Sequence, residues 1–126
     1  ALRRDILRLK ENALVNLTNM HDIVHETRGI TLTQPLKVKI YAIGEGYDNE
    51  MFDYGWILNA DTREKVWSMR EPESDYAGGA VKNRLFRDEM TLPAGNYLVH
   101  FKTDDNHSYE EWNSNPPYDP FFWGIT

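Results

Sequence analysis

Thr103-Asp104-Asp105-Asn106-His107-Ser108 is the densest run of side chains able to do chemistry. Carboxylate and amide oxygens suit calcium, which takes roughly six to eight of them. On this reading Asp104 and Asp105 are metal ligands, joined by Asp119 or Glu110 from the same stretch, and calcium is the cofactor. The spacing is not that of an EF-hand, because the required glycine and terminal glutamate are missing. The plainer alternative is that Asp and Asn bond their own backbone and shape turns. His107 beside Glu110 or Glu111 offers the residue types of a general acid–base pair, as a hydrolase would need.

Aromatic rings crowd the same region: Tyr109, Trp112, Tyr118, Phe121, Phe122 and Trp123. A ring can stack on the apolar face of a sugar while Asp and Asn take its hydroxyls. A carbohydrate ligand would therefore use Tyr109, Trp112, Asn113, Tyr118 and Trp123. The alternative is a loop pinned by its own rings and by Pro116-Pro117. His21 and His25 stand four apart, a metal-binding spacing on a helix, but without the Glu that a metalloprotease places directly after its first histidine. Ala77-Gly78-Gly79-Ala80, followed by Lys82, Asn83 and Arg84, lacks the spacing of a phosphate-binding loop. Small residues there let the chain pass close to another segment. No Gly-x-Ser-x-Gly elbow is present, and the absence of cysteine removes thiolate catalysis, disulfides and Cys-ligated zinc.

These residues need elements to hold them. Leu2, Ile6, Leu9, Ala13, Leu17, Met20 and Val24 recur at steps of three or four, which predicts an amphipathic helix over 1–28 that stops at Arg28-Gly29. It either covers the sheet or joins protomers. From Leu36 the pattern alternates with a period of two, the mark of a half-buried strand. That strand is expected to end at Gly44-Glu45-Gly46. A second covers 51–60, with Phe52, Tyr54, Trp56 and Leu58 on one face, and 65–69 returns as its hairpin partner. Further strands are expected at 84–92, from Tyr97 through Phe101, and from Phe121. Leu92-Pro93-Ala94-Gly95-Asn96-Tyr97 is the sharpest turn signal. The expected fold is mainly β, an antiparallel β-sandwich of jelly-roll or immunoglobulin-like type, preceded by the N-terminal helix. The organisation is a helical segment at 1–29 and a β domain at 30–126.

With 126 residues the chain fits one domain. The formal net charge of −6 and the lack of a basic stripe argue against nucleic acid and anionic membrane surfaces. No apolar run reaches the roughly 20 residues that span a bilayer. The chain begins at Ala1 and stops within an apolar run, so a piece of a longer protein is expected, with any membrane link lying outside it.

Three groups of segments carry a resemblance: Tyr54-Gly55-Trp56-Ile57 with Val66-Trp67; Ala77-Gly78-Gly79-Ala80 with Lys82-Asn83-Arg84; and Thr103-Asp104-Asp105 through His107-Ser108, Trp112-Asn113, Pro116-Pro117, Pro120 and Trp123-Gly124-Ile125. Together they resemble a group of uncharacterised bacterial proteins predicted to be exported or membrane-associated. The resemblance implies a self-contained module over about 36–126 in an extracytoplasmic setting and brings no chemistry with it. The resulting expectation is a non-catalytic interaction or structural module of a larger exported protein, with a protein partner or self-association through the N-terminal helix. A calcium- or carbohydrate-binding module using 103–123 is the alternative, and a hydrolase is the least favoured.

Overall fold

The computed structural model describes residues 14–104, 107–110, 112–118 and 123–126. It is mainly antiparallel β: β1 (His25–Leu32), β2 (Leu36–Tyr47), β3 (Glu50–Asn59), β4 (Lys65–Ser68), β5 (Asp75–Tyr76), β6 (Asn83–Leu92), β7 (Gly95–Lys102) and β8 (Gly124–Ile125). The strands follow one path, β1-β7-β3-β2-β6-β5, with β4 on β3 and β8 on β2.

β3 belongs to two ladders. Its first residues pair with β2, and Tyr54 to Asn59 pair with β7. The chain passes between the ladders at several points, among them after β1, after β4 and after β6. The crossing after β6 is the Leu92-Pro93-Ala94-Gly95 turn. There the Tyr97 hydroxyl donates back to the Pro93 carbonyl at 2.7 Å, which clamps the corner. Ile40, Ala42 and Phe86 from one ladder and Ile57, Val99 and Phe101 from the other fill a single core. Such burial stabilises by roughly 25 cal/mol per Å² of apolar surface.

Two strand expectations shift. Gly44-Glu45-Gly46 does not end β2, which runs on to Tyr47 and turns tightly through Asp48 and Asn49, both at positive φ (52° and 67°). A two-residue hairpin turn of this kind matches the right-handed strand twist, and Asp and Asn tolerate the left-handed region. Phe52, Tyr54, Trp56 and Leu58 do share a face of β3, but the buried face is the opposite one, carrying Asp53, Gly55 and Ile57.

The expected N-terminal helix is not what residues 14–28 form; residues 1–13 lie outside the described residues. Leu17 bridges Ile125, giving and receiving backbone bonds of 2.9 Å. Gly124 sits against it at φ 142°, where a Cβ would run into the Leu17 carbonyl. Met20 donates to Trp123, and Ile23 to Asp104. Thr103 fastens the stretch further: its hydroxyl donates to the His21 carbonyl at 2.6 Å and accepts the Val24 amide at 2.9 Å. From His25 the chain is a strand on β7, so the expected boundary at 29/30 falls inside β1. The physical reason is competition. Asn16, Asn19, Ile23, Val24, Thr27 and Gly29 are weak helix formers, while β7 offers the backbone a full ladder from His25 on and Ile125 of β8 a bridge at Leu17.

Leu17 is only 1% exposed, so Leu17→Ala should cost about 3 kcal/mol in a urea unfolding experiment. Ile23→Ala, at a side chain 79% exposed, should cost no more than about 0.5 kcal/mol. Equal small effects at both positions would contradict this docking of the segment.

Candidate functional site

Glu45 of β2 and Asp53 of β3 are cross-strand partners beside a register shift. Directly opposed side chains share a face of the sheet, and like charges there destabilise. Here both carboxyls are also buried, Glu45 3% and Asp53 0% exposed. Asp104, just beyond β7, joins them, and one oxygen from each of the three lies within 4.8 Å of the others.

Donors reach part of this cluster. Asp53 Oδ1 accepts the Asp104 amide at 2.8 Å, and Asp53 Oδ2 accepts the Trp123 indole N–H at 3.1 Å. Glu45 Oε2 takes Lys82 Nζ at 3.0 Å. Glu45 Oε1 receives no hydrogen bond among the described residues and is fully buried. A buried acceptor left without a donor costs about 1–3 kcal/mol, more when charged.

Burial pushes the Asp53 carboxyl up from its ordinary 3.8 to about 9; the Asp104 amide opposes this, and the Asp104 and Glu45 charges add to it. Burial also raises Glu45, against the pull of Lys82 and with the help of the Asp104 charge. At neutral pH the empty cluster therefore holds a proton on Asp53. A hard divalent cation could replace that proton, because three carboxylates are the donor set such an ion prefers.

The walls of the centre come from the segments that stood out in the sequence. Lys82 Nζ also donates to Asn113 Oδ1 at 2.7 Å. Asn83, fully buried, donates both protons of its amide, to the Gly78 and Asn115 carbonyls, each at 2.9 Å. Its Oδ1 must then accept, so His107, hydrogen-bonded to it through Nε2, carries its proton there. Burial first, then the Lys82 charge, pushes His107 down to about 4, so it is neutral. Arg84 grips Ser74 Oγ at 2.7 Å. Gly79, at φ 70°, lies so close to the Pro116 carbonyl that a Cβ would collide with it. Ala77-Gly78-Gly79-Ala80 thus lets the 112–118 segment pass against the sheet.

Of the expected metal ligands, Asp104 lies in this cluster; Asp105 and Asp119 lie outside the described residues. Of the expected sugar-binding residues, Trp123 has no exposed surface. Trp112 is half-buried, its ring edge-on to Trp123 at 4.8 Å and to His107 at 5.1 Å. Tyr109 packs on His21 at 5.2 Å. Asn113 is exposed, but its oxygen is taken by Lys82. Tyr118 is 83% exposed and meets Tyr76 edge-on at 6.3 Å. The five do not form one continuous stacking surface. His107, expected beside Glu110 or Glu111, has no exposed surface and is held by Asn83.

The chain matches no protein-family model, no curated protein and no solved structure. The function must therefore be read from the site itself.

Sequence reasoning missed Glu45, Asp53 and the cross-link through Lys82. Two signals were available. Glu45 stands between glycines directly after Ile40-Tyr41-Ala42-Ile43, and Asp53 occupies the phase opposite Phe52, Tyr54 and Trp56.

The titrations have a measurable consequence. Asp53 keeps its proton to about 9 when folded and loses it near 3.8 when unfolded, so this group's stabilisation declines as pH rises through that window. His107 works the other way between about 4 and 6.5, its stabilisation being lost as pH falls. The two oppose one another below pH 6.5. Above it Asp53 is left. In chelator-treated protein, unfolding free energy should fall from pH 6.5 toward 9 by about 1.4 kcal/mol per unit. Urea titrations at successive pH values would show it, and a flat profile would contradict the protonated Asp53.

Proposed function

We propose that this chain is a non-catalytic structural or interaction module of a larger exported protein, a β-sandwich whose two sheets are locked by calcium at Glu45, Asp53 and Asp104. The observation that carries the reading is the buried oxygen of Glu45. Three clustered carboxyls share a single lysine, which bonds Glu45 alone, and leave an unfilled acceptor inside the fold. A calcium ion would supply both missing terms, positive charge and additional coordination of oxygen.

The position of the centre explains what the ion would do. Asp53 lies where β3 passes from one ladder to the other, and it accepts from both the Asp104 amide and the Trp123 indole. A cation there would tie β2, β3 and the 103–123 stretch together. The calcium and the loop anticipated in the sequence are retained, with Asp104 as the shared ligand and two strand residues in place of loop neighbours. An extracytoplasmic setting fits this chemistry, since weak modules outside the cell bind calcium at roughly 0.1–1 mM. That setting rests on the resemblance to exported bacterial proteins.

Thermal unfolding with calcium tests the proposal. Each tenfold excess of calcium over its dissociation constant should add about 1.4 kcal/mol to the folded state. Glu45→Gln separates the cation from the scaffold. The glutamine oxygen can still take Lys82, and its NH₂ would sit where the unfilled oxygen was. In chelator this variant should stay within about 1 kcal/mol of the parent, the lost ion pair with Lys82 opposing the relief of the unfilled oxygen, and it should not respond to calcium. An unmoved Tm at calcium up to roughly 10 mM, well above the range of weak extracellular sites, would overturn the reading.

A further inference from the structure

The outer face of β1, β7 and β3 carries a second group of metal-binding side chains. His25, placed by its sequence spacing on a helix with His21, is instead on β1 and meets His100 of β7. His25 Nε2 and His100 Nδ1 are 3.1 Å apart. The Thr27 hydroxyl lies 3.0 Å from the same His100 nitrogen. The ring centroids are 5.3 Å apart with their planes tilted by 45°, and the other nitrogen of His100 is buried with no hydrogen-bond partner among the described residues. Trp56 of β3 stacks flat on His100 at 4.8 Å and lies 5.5 Å from His25.

We propose that His25 and His100 bind one borderline divalent cation of the copper, nickel or zinc class, with Thr27 and water completing the site. Two nitrogens 3.1 Å apart, each about 2.05 Å from a metal, subtend roughly 100° at it, between square-planar and tetrahedral angles. The ion takes the place of the hydrogen between the two rings. His25 is exposed, so its ring can turn outward to open that angle. Neutral imidazole is the ligand such ions prefer, and calcium gains nothing from it. Lys102 stands opposite His25 in the ladder, and Lys65 Nζ lies 5.8 Å from the Trp56 ring. These charges weaken cation binding, so the site depends on nitrogen coordination rather than on field. It stands on residues separate from the carboxylate centre.

Trp56 reports on the site. Copper(II), an efficient quencher, should quench part of the indole fluorescence of the calcium-treated full chain, saturating at one ion per chain. The bound ion should show nitrogen hyperfine structure in its electron paramagnetic resonance spectrum. His100→Gln and the exposed His25→Gln should each abolish both signals. Trp56→Phe should remove most of the quench while calorimetry still records one copper bound. The second variant guards the test if His100→Gln fails to fold. Saturable quenching that persists unchanged in His25→Gln would place the copper elsewhere and overturn the proposal, as would the absence of any saturable binding. Copper lost in Glu45→Gln but kept in His25→Gln would also overturn it, assigning the ion to the carboxylates.

Discussion

Two carboxylates facing one another across the β2–β3 ladder set the terms for this fold. Water normally stabilises such groups by several kcal/mol each, and burial removes it. The chain answers with what it can bring: the Trp123 indole, the Asp104 amide and the Lys82 ammonium. Each donor comes from a different segment, far from β2 and β3 in sequence. Satisfying Glu45 and Asp53 therefore recruits the C-terminal residues, the end of β7 and the start of β6 to one place. An apolar pair at these positions would make no such demand, and replacing buried ion pairs by apolar residues often stabilises a protein. Their presence is evidence that the position does something besides pack.

Lys82-Asn83-Arg84 shows how the surrounding loops are held without secondary structure of their own. Each residue bonds a different partner: Lys82 reaches Glu45 and Asn113, Asn83 reaches Gly78, Asn115 and His107, and Arg84 reaches Ser74. The buried amide of Asn83 uses both donors and its acceptor, so the cross-link is geometrically exclusive. Because these contacts join residues distant in sequence, their loop-closure entropy must be met before they form. The ladders are expected to assemble first and the wrapped segments to settle on them.

The strands were legible because period two is a local property. β4, β6 and β7 fall where turn residues and alternation put them, and the Leu92-Pro93-Ala94-Gly95 turn is the corner it resembled. The segment at 14–28 was misjudged for a related reason. Apolar steps of three and four suit a helix, but Leu17 instead bridges Ile125, and the residues from His25 on find Phe101, Val99 and Tyr97 of β7 as ladder partners. Periodicity does not contain the partner that decides between them. Only Asp104 of the carboxylate centre could be picked from a polar run. Glu45 and Asp53 lie inside strands, and their juxtaposition is a fact of register, which depends on the Asp48-Asn49 turn.

β3 carries both kinds of chemistry because its side chains alternate. Asp53 points into the interface of the ladders with the Glu45 and Asp104 carboxyls beside it, while Trp56, three residues on, faces outward onto the His25 and His100 rings. An odd separation along a strand places two residues on opposite faces. The ladders that bury the first centre therefore hold the second rigidly at the surface, as the Trp56↔His100 pairing does directly. A one-residue slip of β3 against β7 would turn the carboxylate out to solvent and drive the indole into the core. Whatever fixes the register of β3 fixes both sites at once. The bulge at Glu45 and Gly46 and the tight turn beside it set the register of β3 on β2.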